Sequence, residues 1–480
     1  MRILTVSFYD DNFGDMLIRT CFTQLLRVVF DNLGAQPTDY EIDSMPLKEP
    51  DENKICNSNL IIFAGGGLFG LSYLAFYDYL KTILDIADDR NIPVIFSSLG
   101  MNNMDADAEN ETRLRALLDR KCIKSISVRE NAELFRYYAE GSGKDVVPVC
   151  DPVVWAGSVY YKDTEESCYK ESSRPAVGIN FVRGGLFKSN GVKGWGLAAE
   201  ERLLFDVYTS LEDSNCSCSF FTNGSFMDGL ALLNFADKYQ LPKEKIIVSD
   251  TSRELVKTIA GFDAVLAIRM HAAIISYAFG IPSVNLVWNP KIPFFYRNIG
   301  REQRAILPED WNTEQMVEQV KLLLAEGRYE PDEDFLMSTY NFIYDSVCSE
   351  LQQSRAEWKR PEKYGFEKVK TLLREMSVSE DEDVTDYKYK IQKAIKQYNK
   401  IRIENKELKA ENSTLKAEKR TLAKENDKLH EENAKLTKEK EKLEKKLARI
   451  EDMPAVKAYR KLKGFTHKSD SAKEKSTDAR

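Results

Sequence analysis

Arg269 and His271 stand two residues apart within the run Asp263–Pro282. Together they combine an anion hook with a proton-transfer group. A guanidinium matches phosphate and carboxylate by paired hydrogen bonds. An imidazole, with an ordinary pKa of about 6.5, gives or takes a proton near neutrality. Lys291 follows His271 by twenty residues, and Arg129 is a further candidate cation. Cations around one small pocket suit a ligand whose negative charges lie close together. The bland alternative is a core histidine satisfied by packing, and Arg269 and Lys291 weigh against it.

These residues need strands to present them. Val265, Leu266 and Ile268 read as a buried strand, and Ala272–Ala278 as an apolar helix ended by Gly280 and Pro282. Arg269 and His271 then fall on a strand-to-helix turn, at the edge of an open α/β sheet where ligands bind. Arg129 follows the strand Ser125–Val128 in the same way, where a surface ion pair is the alternative reading. Ile3–Phe8 is the first strand, and the turn Asp10–Asp15 leads into a helix over Met16–Asn32. That turn carries Asn12, Gly14 and Asp15, and a loop at a helix N-terminus offers N–H groups to anions. The strand from Leu60 runs into Gly65, Gly66 and Gly67, which permit close approach of a ligand or of another backbone.

Strand and helix alternate from the first residue to about residue 165, and again from Ala176. The polar stretch Gly157–Pro175 reads as the linker between the two series. Repeated βα units imply parallel sheets covered by helices on both faces. The expected fold class is α/β: two doubly wound, Rossmann-like domains facing a cleft, at 1–165 and 175–376, as in GT-B glycosyltransferases. The second includes closing helices over Glu333–Lys359 that fold back across both domains. An acidic, flexible joint is expected at 377–390, centred on Ser377–Asp386.

Beyond it the composition changes in kind. Ile401, Leu408, Leu415, Leu422, Leu429, Leu436, Leu443 and Ile450 recur every seven residues. This is a coiled-coil pattern over 391–450, with Asn405, Asn412, Asn426 and Asn433 at the other core position, which favours two strands in a defined register. A parallel homodimer is expected. Residues 451–480 form a basic tail (Lys457, Arg460, Lys461, Lys463, Lys468, Lys473, Lys475), read as a solvated tail or as a contact with an anionic membrane surface.

The totals narrow the function. A net charge of −7 argues against general nucleic-acid binding. Eight scattered cysteines and three histidines show no metal-ligand spacing, so free thiols in a reducing cytosol and no metal are expected. The N-terminus reads as a strand, not a signal peptide, and no apolar run approaches a membrane span. A cytoplasmic protein is the expectation, with a peripheral position at the inner face of the membrane as the reading that the basic tail adds.

Read in order, Asn12-Phe13-Gly14-Asp15, Gly65-Gly66-Gly67-Leu68-Phe69, Ser127-Val128-Arg129-Glu130, Asp151-Pro152, Arg269-Met270-His271-Ala272, Gly280-Ile281-Pro282 and Lys291 resemble the polysaccharide pyruvyl transferase family over roughly residues 1–325. The resemblance implies transfer of the enolpyruvyl group of phosphoenolpyruvate to two hydroxyls of a saccharide, free or lipid-linked. The product is a pyruvate ketal, phosphate leaves, and phosphoenolpyruvate is a substrate rather than a cofactor. It implies His271 as general acid or base, with Arg269, Lys291 and Arg129 holding the donor. The family motif more often has Asp where this chain has Glu130. Two readings compete: a nucleotide-sugar glycosyltransferase, which would claim Asp250 or Glu254 for a ribose, and a coiled-coil scaffold with a head that only binds.

Overall fold

A computed structural model describes residues 1–69, 73–101, 108–165, 173–354 and 359–459. The first six strands are β1 (Arg2–Ser7), β2 (Glu41–Pro46), β3 (Leu60–Phe69), β4 (Val94–Met101), β5 (Ile123–Val128) and β6 (Val146–Pro148). They form one parallel sheet in the order β2-β1-β3-β4-β5-β6. The next six are β7 (Ala176–Asn180), β8 (Ser217–Phe221), β9 (Ile246–Ile247), β10 (Ala264–Ala267), β11 (Ser283–Leu286) and β12 (Ala305–Ile306). They form a second parallel sheet, β12-β11-β10-β7-β8-β9. The fold is therefore the expected α/β arrangement of two Rossmann-like sheets with flanking helices.

Central strands are buried on both faces, as helix-covered parallel strands must be: Ile3–Val6 and Leu60–Ala64 leave almost nothing exposed. The helix Phe13–Asn32 is buried nearly all round, and Arg19, Thr20, Gln24 and Asn32 are buried with its apolar residues. The closing helix Glu333–Ser354 returns to the first half of the chain. The Trp155 indole N–H donates to the Leu336 carbonyl at 2.9 Å, Thr339 donates to the Cys150 carbonyl at 2.6 Å, and Tyr340 bonds Asn32 at 2.5 Å. The helix Phe366–Glu375 stacks Phe366 near Trp155, with ring centroids 5.6 Å apart.

Several expectations change. The strand through the glycines does not stop at Ala64 but continues to Phe69, with a register shift against β4 between Gly66 and Phe69. β2 and β12 were not expected; both are edge strands, β12 only two residues long and β2 half exposed with proline at its end. The linker is partly helical, at Ala156–Val159 and Tyr161–Thr164, and its residues 166–172 lie outside the described residues.

The flexible acidic joint is the clearest correction. Helix runs from Glu380 to Glu451, and its first turns are docked on the globular part. Asp386 is fully buried and accepts the Ser252 backbone N–H at 2.7 Å. Arg253 binds Asp383 at 2.9 Å, Glu382 pairs with Arg19, and Lys393 binds Asp10 at 2.8 Å. Acidic residues suit the first turn of a helix, where the dipole favours negative charge, and here they also find Arg253 and the buried Arg19.

Residues 396–480 form a separate unit. Within it the helix exposes every residue from Tyr398 to Ile450, including Leu408, Leu415, Leu422, Leu429, Leu436 and Leu443, each more than half exposed. The basic tail from Arg460 on lies outside the described residues. No helix among the described residues is long and apolar enough to cross a membrane. The seven described cysteines are free.

Candidate active site

In a doubly wound sheet a crevice opens where neighbouring strands send their connections to opposite faces, and ligands bind there, beyond the strands' carboxyl ends. In the first sheet this occurs between β1 and β3, and in the second between β10 and β7. Residues from both places line one cavity of about 310 Å³. Phe8, Asn12 and Asp15 follow β1, and Gly67 belongs to β3. Arg269, Met270 and His271 follow β10, while Trp288, Asn289 and Lys291 follow β11. Arg129, at the end of β5, completes the polar lining.

Seven of the ten sequence candidates therefore meet: Asn12, Asp15, Gly67, Arg129, Arg269, His271 and Lys291. Gly14, Gly65 and Gly66 are not among the lining residues. Gly14 lies against the His271 ring; a Cβ there would come 2.3 Å from Nδ1, so only glycine leaves room for the imidazole. Gly65 and Gly66 have φ of +94° and +96°, where a side chain is strained, and they carry β3 through its shift to bring Gly67 to the cavity.

Each cation is backed by a carboxylate. The Arg269 Nε and Nη2 donate to Asp228 Oδ2 at 2.7 and 2.5 Å, while the other Asp228 oxygen accepts the Arg183 N–H at 3.0 Å. The Arg269 backbone N–H donates to Asn180, the last residue of β7, at 2.8 Å. The guanidinium is held with its remaining edge toward the cavity. Arg129 donates to Glu130 at 2.9 Å and to Asp151, and its side chain is almost wholly buried. Burial works against the Arg129 charge, but Glu130, Asp151 and Asp15 outweigh it and raise its pKa. The Lys291 ammonium lies 4.0 Å from Glu130. Burial lowers its pKa and Arg129 adds to this, while Glu130, Asp15 and Asp151 oppose.

His271 Nε2 lies 3.6 Å from Asp151 Oδ2. Burial would raise the Asp151 carboxyl, but Arg129 and His271 together hold it well below the usual carboxylate range. Asp151 stays ionised between the Arg129 guanidinium and the His271 ring.

The two halves are clasped beside this cavity. Phe13 donates its backbone N–H to the Asn223 carbonyl at 2.9 Å, and Phe226 donates to Asp11 at 2.8 Å. Asn180 bridges to the Asn223 side chain at 2.9 Å. Asn12 donates to Asp15 at 2.9 Å, which sets the carboxylate that faces the cavity. Sequence reasoning missed Asp228, Asn180 and the role of Asp151 within its Asp-Pro pair. Asn180 had a usable signal, a polar side chain ending an apolar strand; Asp228 had none, being 41 residues from its partner.

Three solved structures are similar in part. An uncharacterised protein from Klebsiella pneumoniae is 12% identical with a TM-score of 0.33, over 64% of this chain and 92% of that one. A periplasmic sugar-binding protein of an ABC sugar transporter from Legionella pneumophila is 12% identical with a TM-score of 0.24, over 75% and 96%. An ABC domain in complex with L-Trp from Streptococcus pneumonia is 10% identical with a TM-score of 0.17, over 73% and 97%. These scores are too low to support an inference. No curated protein matches the sequence. A family profile does match, over residues 12–290, more than half of the chain. It spans the cavity residues from Asn12 to Asn289 and stops one residue short of Lys291. The chain that brings these strand ends together belongs to the polysaccharide pyruvyl transferase family.

Proposed function

We propose that the protein transfers the enolpyruvyl group of phosphoenolpyruvate to two hydroxyls of a saccharide, in a cell-surface polysaccharide or its precursor, forming a pyruvate ketal. The observation that carries this reading is the convergence of Arg129, Arg269, Lys291 and His271 on one cavity. Phosphoenolpyruvate carries a phosphate and a carboxylate on adjacent positions of one small molecule. Arg269, with a free edge, and Lys291 suit direct contact; Arg129, braced by two carboxylates and buried, contributes its charge.

The first saccharide hydroxyl adds through oxygen to the enol carbon, and the methylene takes a proton and becomes a methyl group. Phosphate then leaves that carbon as the second hydroxyl oxygen bonds to it. Of the two hydroxyl protons, one is balanced by the proton on the methyl and the other by the proton on phosphate. His271 supplies or accepts a proton in these steps, by general acid–base catalysis. The sugar-nucleotide alternative fares worse. Asp250 binds Lys390 at 2.6 Å, Glu254 accepts the Asp250 N–H at 2.7 Å, and neither lines the cavity. Incubation with phosphoenolpyruvate and candidate saccharides tests the reading: a saccharide gaining pyruvate by mass spectrometry supports it, and nucleoside diphosphate release from a sugar nucleotide overturns it.

We further infer that the long helix pairs with a second copy, in parallel. Its leucine stripe is uncovered in the single chain. Glu404, Glu411, Glu418, Glu425, Glu432 and Glu439 form one column beside it, and Arg402, Lys409 and Lys416 the column on its other side. Parallel pairing sets Glu404 opposite Lys409 and Glu411 opposite Lys416 of the other chain, whereas antiparallel pairing sets the glutamate column against itself.

A further inference from the structure

A buried polar atom needs a partner, or it costs stability. His271 Nε2 is buried and has no hydrogen-bond partner within bonding distance among the described residues. Asp151 Oδ2, at 3.6 Å, is a few tenths of an ångström too far for a hydrogen bond, and the same oxygen takes the Arg129 guanidinium. Asp151 is itself fixed: its other oxygen accepts the Val153 backbone N–H at 2.9 Å, and the 3-10 turn Pro152–Trp155 that it caps packs on the helix bearing His271. Gly14 packs against the Cβ–Cγ–Nδ1 part of the ring, and its missing side chain is what makes room for the imidazole there. The remaining charged groups around the cavity are Asp15 on the first turn of the helix Phe13–Asn32, Arg129 and Glu130 after β5, Arg269 before the histidine's own helix, and Lys291. Of the carboxylates around the cavity, Asp151 is the one that lies within 4 Å of a ring nitrogen.

We propose that Asp151 is a positioning residue for His271. Its carboxylate holds the proton of the neutral imidazole on Nε2 and fixes the ring plane, which leaves Nδ1, on the Gly14 side, as the nitrogen that exchanges protons with substrate. The same carboxylate ties Arg129 of the first sheet to His271 of the second, so the acid–base group is set only when the two halves are clasped. This deepens the pyruvyl-transfer reading and rests on it for the identity of the substrate, but the pairing itself does not.

Nitrogen chemical shifts of ¹⁵N-histidine in the full-length unmodified protein, at a pH where the ring is neutral, test the pairing without any turnover. His271→Gln identifies the signal among the three histidines. Protonated Nε2 with bare Nδ1 is the expected result; protonated Nδ1 overturns the proposal. In Asp151→Asn, kcat should fall about 100-fold while the KM for phosphoenolpyruvate moves less than about 3-fold, with the Nε2–H preference lost. An unchanged tautomer in that variant, or a loss confined to KM, overturns it. Should the unmodified protein release no phosphate from phosphoenolpyruvate, the reaction assignment fails, while an Nε2–H signal still supports the Asp151–His271 pair.

Discussion

His271 has two neighbours that a list of reactive residue types would not include, Gly14, whose missing side chain leaves room for the ring, and the carboxylate of Asp151 at 3.6 Å. His271→Ala should cut kcat by about 10²–10⁴-fold, with phosphoenolpyruvate affinity by calorimetry nearly unchanged. Gly14→Ala should also remove most activity, because its methyl would occupy the ring's place. Arg269→Ala should act differently. It raises the donor KM, and it strands Asp228, which is fully buried, at a cost of about 3–5 kcal/mol in a denaturation experiment. A donor KM unchanged in Arg269→Ala would remove that residue from the donor site. Arg269, His271 and Lys291 were legible in the sequence because each follows a recognisable strand, and strand ends are where α/β sheets bind ligands. Their carboxylate partners were not legible, because which acid meets which base depends on strand order, and Asp228 and Asp151 are brought in from other connections.

At the scale of elements, the start of the long helix illustrates how composition misleads. Four acids in succession, Glu380–Asp383, read as a solvated joint, yet an acidic first turn also starts a helix, and the decisive partners Arg19 and Arg253 lie far away in the chain. Most strands and helices of both sheets were legible from apolar runs and their spacing; of the edge strands, β12 was too short to register and β2 too polar. Asp386 gives this docking a pH dependence. Burial, with Glu382 adding to it, pushes its carboxyl up to about 6, against the opposing bonds from Ser252 and the charge of Arg19. A carboxyl raised in the folded state binds more protons folded than unfolded between its two values, so its contribution to stability grows as pH falls from 7 toward 4 and is lost as pH rises through about 6. The stability difference between wild type and Asp386→Asn should therefore shift by about 1 kcal/mol in favour of wild type between pH 7 and pH 5. A pH-independent difference in urea denaturation would contradict the buried, raised carboxyl.

For the whole molecule, the two sheets direct their ligand-binding edges at one cavity, and the far helix adds an element outside the family match. The heptad stripe was the most legible feature of the chain, since a seven-residue repeat needs no tertiary information. Sedimentation equilibrium should give twice the chain mass of 55.0 kDa, and replacing Leu415, Leu422 and Leu429 by Asp should return the single-chain mass; a monomeric wild type would contradict the pairing. The central claim is the reaction. Phosphate release and the mass of the saccharide product, followed together with phosphoenolpyruvate as donor, test it most directly. The account predicts one phosphate for each saccharide that gains a pyruvate ketal, and loss of both signals in His271→Ala. Unconsumed phosphoenolpyruvate across a panel of acceptors, with UDP or GDP released from a sugar nucleotide, would contradict it.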